Sequence, residues 1–259
     1  MCTGIYGILW ILLQKAPMVT VKDKIYAEPR LSVDAFRFDQ SVADVFQNMI
    51  ERSVPGYGLV LQLIGVLAEK YAQPGSQTYD LGCSLGASTI QLRRHVPNDC
   101  HVIGVDKSQA MVTRCKANLS RDHSAASYEI LLKDLRETKI EKASMVVLNF
   151  TLQFIPNKER TEILARIFEG LKKGGILLLA EKVIFDNVSK QKLMTELHHC
   201  FNKQHGYSDL EISQKRAALE NVLTPNTAAQ HTHRMRDAGF LTVEQCMKCL
   251  NFSAFIGIK

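Results

Sequence analysis

The feature that most narrows the fold is a rhythm running from Gln77 to Glu181. Strand-like apolar runs occupy Gln77 to Leu81, His101 to Asp106, Tyr128 to Leu132, Ser144 to Phe150 and Ile176 to Glu181. Helical patterns separate most of them, at Thr89 to His95, Ser108 to Leu119 and Asn157 to Leu171, where Ile163, Leu164, Ile167 and Leu171 share one face. Strands alternating with crossover helices pair in parallel, so the rhythm predicts an α/β fold with a doubly wound, mostly parallel sheet. At 259 residues and 46% hydrophobic content, the chain is long enough to bury such a core.

The flanks follow other patterns. In "DQSVADVFQNMI", Val42, Val45, Phe46, Met49 and Ile50 fall at helical spacing, "SVPGYG" breaks the run, and Leu59 to Tyr71 rebuilds it. An N-terminal helical layer over 18–75 is therefore expected before a core sheet over 76–186. Residues 187–224 read as a helical insertion interrupted at Gly206, and 225–259 as a final helix and a β-hairpin. All of 18–259 is expected to form one domain. The preceding segment, MCTGIYGILWILLQKAP, holds an apolar run from Gly4 to Leu13, about half of what a bilayer crossing requires. Its first basic residue, Lys15, follows that run, no small-x-small site comes after it, and Met18 offers a second start. Residues 1–17 are thus read as a leader outside the fold.

Charge and thiols exclude some functions. The net charge of +6 is dispersed with no long basic run, which speaks against direct nucleic-acid binding. Seven cysteines, odd in number and irregularly spaced, suit reduced thiols in the cytoplasm. The one C-x-x-C, Cys246 to Cys249, lies in a strand-like run that points its thiols to opposite faces. "HHC" at 198–200 and His205 lack the H-E-x-x-H spacing and read as surface or interface histidines, so no metal is expected.

In an open α/β sheet the ligand sits beyond the carboxyl ends of the strands. Those ends carry Asp80 to Gly86, Asp106, Asp134 and Asn149. The loop "YDLGCSLGAS" lacks both phosphate-loop spacings, and Asp80 would repel an anion. It does contain G-x-S-x-G, which would make Ser84 a nucleophile with Asp186 and His231 as later partners. A hydrolase leaves the acids at the next two strand ends unexplained. A plain turn, with the glycines serving chain reversal, is the bland alternative. A cationic nucleoside accounts for all of them. S-adenosylmethionine carries a sulfonium and an ammonium and no phosphate. D-x-G-x-x-x-G (Asp80, Gly82, Gly86) lets the backbone approach while the carboxylate organises the charged part. Asp106 can accept both ribose hydroxyls, and Asp134 with Leu135 is placed for the adenine edge.

Together with "LKKGGILLLAEK" and the "AGF" before the last hairpin, these features resemble the Rossmann-like class I S-adenosylmethionine-dependent methyltransferase fold. From about Lys22 to Lys259, "FDQSVADVFQNMIERSVPGY", "YDLGCSLGAST", "SMVVLNFTLQF" and "GYSDLEISQKRAALENVL" resemble the bacterial carboxy-S-adenosylmethionine synthase family. That resemblance implies a transferase converting S-adenosylmethionine and prephenate to carboxy-S-adenosylmethionine, phenylpyruvate and water. It further implies a homodimer, and a product used by a tRNA carboxymethyltransferase in wobble-uridine modification. Carried over by position, the cofactor contacts would be Tyr57, Gly82, Cys83, Ser84, Asp106, Lys107, Asp134, Leu135, Asn149 and Arg216. Lys107 stands where relatives carry a neutral amide. Arg216 would meet the added carboxylate and so serve catalysis.

The chemistry of a guanidinium agrees with that role, since its planar fork matches a carboxylate and gains nothing from a methyl group. No general base for methyl deprotonation emerges, as expected where the second substrate supplies it. Tyr57 reads equally as core, and Phe150 and Phe154 as packing, although either phenylalanine could cover the cofactor. Two other functions stay open on sequence alone: a methyltransferase acting on a small molecule or RNA, and a non-catalytic S-adenosylmethionine-binding module.

Overall fold

A computed structural model describes residues 21–259; the proposed leader and its apolar run lie outside the described residues. Five strands form the parallel part of one sheet: β1 (Gln77–Leu81), β2 (His101–Asp106), β3 (Ser127–Leu132), β4 (Ala143–Asn149) and β5 (Leu171–Ile184). β7 (Thr242–Cys249) and β8 (Phe252–Ile258) add an antiparallel hairpin, and the order is β3-β2-β1-β4-β5-β8-β7. The doubly wound, mostly parallel sheet anticipated from the rhythm is present. A two-residue strand, β6 (Asn226–Thr227), pairs with Val183 and Ile184 and was not anticipated; it is too short to carry a period.

Helices cover both faces. α2 (Tyr57–Tyr71) and α3 (Ala87–His95) pack on one, and α5 (Arg160–Gly170) and α8 (Ala228–Asp237) on the other. Alternate residues of the central strands serve opposite faces: Met145, Val147, Ile176 and Leu178 meet Ile64 and Leu92, whereas Val146, Leu148, Leu177 and Leu179 meet Ile163 and Ile167. This two-sided burial explains why the central strands read as continuous apolar runs. α4 (Gln109–Leu119) follows β2, with Ser108 accepting from the Met111 N–H as its N-cap.

The remaining helices stand over the carboxyl ends of the strands. α1 (Gln40–Ser53) buries Val42, Val45 and Met49 against Met111 of α4 and Ala218 of α7 (Asp209–Leu219). α6 (Val188–Gln204) is separated from α7 by Gly206, at φ +83°. Ser208 and Glu211 form a reciprocal capping box that starts α7. The N-terminal segment is stitched to this helical cover. Arg52 donates to the carbonyls of His205 (2.7 Å) and Asp23 (3.1 Å) and lies 3.8 Å over the Tyr207 ring. Gln214 donates to the carbonyls of Tyr26 and Glu28.

Candidate functional site

Between the strand ends and the helical cover lies a cleft of about 1200 Å³. Its position follows from topology: the chain winds outward in opposite directions from β1 and β4, which opens a crevice at their carboxyl ends. Tyr57, Gly82, Cys83, Ser84, Asp106, Lys107, Asp134, Leu135, Asn149 and Arg216 all line it.

The loop after β1 is shaped by backbone conformations that exclude most side chains. Gly82 and Gly86 both adopt φ +88°. A Cβ on Gly82 would collide with the Thr151 side chain, and one on Gly86 would stand 2.8 Å from Cys115 Sγ. Ser84 also has positive φ, +48°, and its N–H donates to Asp106 Oδ2 at 2.9 Å. The Ser108 N–H donates to Asp106 Oδ1 at the same distance. Each oxygen of Asp106 therefore keeps one lone pair for a ligand hydroxyl. Burial pushes the Asp106 carboxyl above its ordinary range, against the pull of those two N–H groups.

The neighbouring strand ends contribute acceptors. Asn149 Nδ2 donates to Ser88 Oγ at 2.9 Å, while its buried Oδ1 has no partner among the described residues. Such an atom suits a cationic or N–H-bearing ligand. Asp134 accepts from the Arg136 guanidinium at 3.0 and 2.8 Å and from its backbone N–H at 2.9 Å. The side-chain bond to Arg136 leads the effects that hold its carboxyl low, and one lone pair of Oδ2 remains free. Phe150, at φ +58°, packs its ring 6.4 Å from Tyr57, and Phe154 stands edge-on to Phe38; all four line the cleft. Burial raises the Tyr57 hydroxyl, so it stays a neutral donor.

Two expectations are corrected. Asp80 does not line the cleft: its side chain is 1% exposed and accepts the Thr89 hydroxyl at 2.6 Å, beneath the start of α3. Even residues of β1 point to that helix, so the acid supports the loop from behind. Burial raises its carboxyl to about 7, with Asp106 adding repulsion. The histidines at 198 and 199, expected at the surface or an interface, are half-buried and both line the cleft. His198 Nε2 lies 2.8 Å from the Ser53 carbonyl, and burial with nearby Lys182 depresses the imidazole to about 4, so it is neutral at pH 7. His205 is exposed, beside the Phe201 carbonyl.

The nucleophile-elbow alternative finds no partner. His231 is fully buried, at a ring distance of 5.7 Å from Phe255, and is absent from the cleft that holds Ser84. Cys246 and Cys249 carry free thiols on β7, and among the described residues no group of three His, Cys, Asp or Glu is placed to hold a metal.

Motif spacing also failed to single out Lys182 and Lys215, which line the cleft with Arg216. Lys182 leaves the carboxyl end of β5, the same structural address as Asp106 and Asn149, and that address was the one available signal. Burial, then Arg216, lowers the Lys182 ammonium. Burial lowers Lys215 to about 8. Arg216 is exposed to the cleft and has no ion-pair partner among the described residues. The strand ends thus bring carboxylates and an open acceptor to the cleft, and Lys182, Lys215 and Arg216 bring cations to it.

The fold, with its crevice at the carboxyl ends of the strands, is the class I S-adenosylmethionine-dependent methyltransferase fold. Residues 79–175 match the methyltransferase domain family. An O-methyltransferase family protein from Burkholderia thailandensis superposes with a TM-score of 0.60 at 20% identity, over 85% of this chain and 60% of that one. Human N-acetylserotonin methyltransferase in complex with SAM superposes with a TM-score of 0.59 at 17% identity, over 85% and 56%. The chain therefore spans about three fifths of the length of these structural neighbours. Closer similarity comes from sequence. The carboxy-S-adenosyl-L-methionine synthase of Trichlorobacter lovleyi is 50% identical over 244 residues, 93% of this chain and all of that one. The enzyme of the same name from Actinobacillus pleuropneumoniae is 47% identical over 239 residues, 92% and 99% of the two chains. The chain belongs to the carboxy-S-adenosyl-L-methionine synthase family.

Proposed function

We propose that this chain converts S-adenosylmethionine and prephenate to carboxy-S-adenosylmethionine, phenylpyruvate and water. The observation that carries this reading is that strand-end acceptors and an arginine without an ion pair face one cleft. Acceptors at the strand ends suit a cationic nucleoside, while Arg216 opposite them has no carboxylate of its own among the described residues. In this reading Asp106 receives the ribose hydroxyls, Asp134 and Leu135 the adenine, and Asn149 Oδ1 a donor on the methionyl part. The loop Gly82 to Ser84, with Tyr57, encloses the sulfonium end. Lys107 contributes its backbone, so its charge is dispensable.

The atoms balance without a protein base. The donor's C–C bond to its ring carboxylate breaks, and the electron pair aromatises the ring and expels the ring hydroxyl. That hydroxide takes a proton from the sulfonium methyl group, forming water and an ylide. The ylide carbon then bonds to the released carbon dioxide, and Arg216 forks onto the new carboxylate. Neutral His198, whose imidazole burial holds down to about 4, is too weak a base to compete with this route. The same reading includes a cytoplasmic homodimer whose product passes to a separate tRNA carboxymethyltransferase. Dispersed positive charge argues against direct RNA binding, and among the described residues no helix is long and apolar enough to cross a membrane.

Incubation with both substrates followed by mass spectrometry tests the reaction. The expected product is the cofactor heavier by one carbon dioxide, together with phenylpyruvate. Formation of S-adenosylhomocysteine would instead identify a methyltransferase, and cofactor binding without turnover a binding module.

A further inference from the structure

The cleft carries more positive charge around Arg216 than a single transferred carboxylate can use. Lys182 from β5 and Lys215 from α7 line the cleft beside Arg216. The Lys182 ammonium has no hydrogen-bond or ion-pair partner among the described residues and lies 6.0 Å from the centre of the Phe252 ring. Lys215 Nζ donates to Ser53 Oγ at 2.7 Å and sits 5.0 Å over the Tyr207 ring. An ammonium has three donors, so Lys215 keeps at least one for a ligand. Ser53 organises this corner twice, since its carbonyl meets His198 and its hydroxyl meets Lys215.

The acids that act on Lys215 are committed elsewhere. Asp23 accepts from the Tyr207 hydroxyl and the Ile25 N–H, and Glu211 closes the capping box with Ser208. Neither lines the cleft, and Glu51 and Glu220, which do, make no ion pair among the described residues. Like charges gathered on one wall repel until an anion arrives, which makes such a wall a receptor for anions.

The proposed reaction needs a second anion contact. A dicarboxylate donor releases one carboxylate beside the methyl carbon and retains the other on its keto-acid product. The retained group must be held away from the point of transfer, or the donor would be free to pivot about its single contact. We infer that Lys182 and Lys215 form the subsite for the donor's retained carboxylate, leaving Arg216 for the carboxylate that is transferred. This inference rests on the carboxy-S-adenosylmethionine reading above.

The test uses Lys182→Met, Lys215→Met and Lys182→Arg in the full chain, with prephenate and phenylpyruvate as probes. Each methionine variant is expected to raise the prephenate KM about tenfold and to weaken phenylpyruvate binding equally. Affinity for S-adenosylmethionine stays within about twofold, as for contacts the nucleoside does not make. Lys182→Arg, which keeps the charge, recovers most of the loss. Folded Lys182→Met with wild-type prephenate KM and phenylpyruvate affinity would overturn the subsite, as would an equal loss of cofactor affinity. If Lys215→Met does not fold, Lys182→Met decides alone, because that ammonium has no structural partner. Wild-type protein that forms no carboxylated cofactor, yet binds phenylpyruvate in a Lys182-dependent way, would sink the reaction and leave the subsite standing.

Discussion

The two walls of the cleft are built by different means. On the strand side, short side chains at the ends of β1, β2 and β4 are locked by backbone and side-chain bonds, as where Ser84 and Ser108 donate to Asp106 and Asn149 donates to Ser88. On the helical side, long side chains of α6 and α7 reach into the cleft from elements held by the N-terminal segment, through Arg52 and Gln214, and Lys182 of β5 lines the same cleft. The first wall depends on the sheet and is expected wherever this fold binds the same nucleoside. The second depends on packing between distant segments and is where a new substrate can be accommodated without disturbing the first. General adenosine recognition and specific chemistry can therefore change independently.

The largest expected effect breaks the strand side. Asp80 is buried with its carboxyl raised to about 7, above the value of an unfolded aspartate. Its contribution to stability is thus fully present below about pH 4 and is lost as pH rises through about 7. Asp80→Asn removes that dependence. Between those limits the ligand-free wild type is expected to lose up to about 1.4 kcal/mol per pH unit relative to the variant. Chemical denaturation at several pH values reads the difference; parallel curves would show that Asp80 is already ionised in the folded protein.

A smaller effect tests the helical side. Arg216→Ala is expected to reduce the preference for carboxy-S-adenosylmethionine over S-adenosylmethionine by about tenfold or more. Binding of S-adenosylhomocysteine, which lacks the transferred group, should not change in a calorimetric titration. Equal weakening of all three nucleosides would mean that the walls are not independent.

The smallest effect sharpens the boundary between them. Lys107 is exposed at the end of β2, and its side chain makes no hydrogen bond or ion pair among the described residues. Lys107→Ala is expected to alter S-adenosylmethionine affinity by less than about twofold, the range of an exposed charge. A larger loss would show that the side chain, and not the backbone, contacts the nucleoside.

Much of the strand side was legible because its signals are local. β1 and β2 begin and end where the apolar runs begin and end, and the glycines at 82 and 86 announce the positive φ that the loop adopts. Even there, Asp80 was misplaced. Its acidity and position suggested a ligand contact, but alternation along β1 directs it to α3, and that alternation is hard to see in a strand buried on both faces. β5 extended beyond Ile176 to Glu181 in both directions, because pairing with β4, β6 and β8 carries it past its apolar centre. His198, Lys182 and Lys215 lie within quoted stretches, but nothing in their spacing marks them as cleft residues.

By itself, the sequence determined the alternation of strands and helices, the glycine loop after β1 and the acids at successive strand ends, since each depends on periodicity or backbone freedom within a few residues. Only the tertiary structure decided that three cations and a neutral histidine from β5, α6 and α7 line one cleft with Ser53 of α1. Electrostatic interaction depends on distance in space, and the chain brings Ser53 and Lys215 to 2.7 Å across 162 positions.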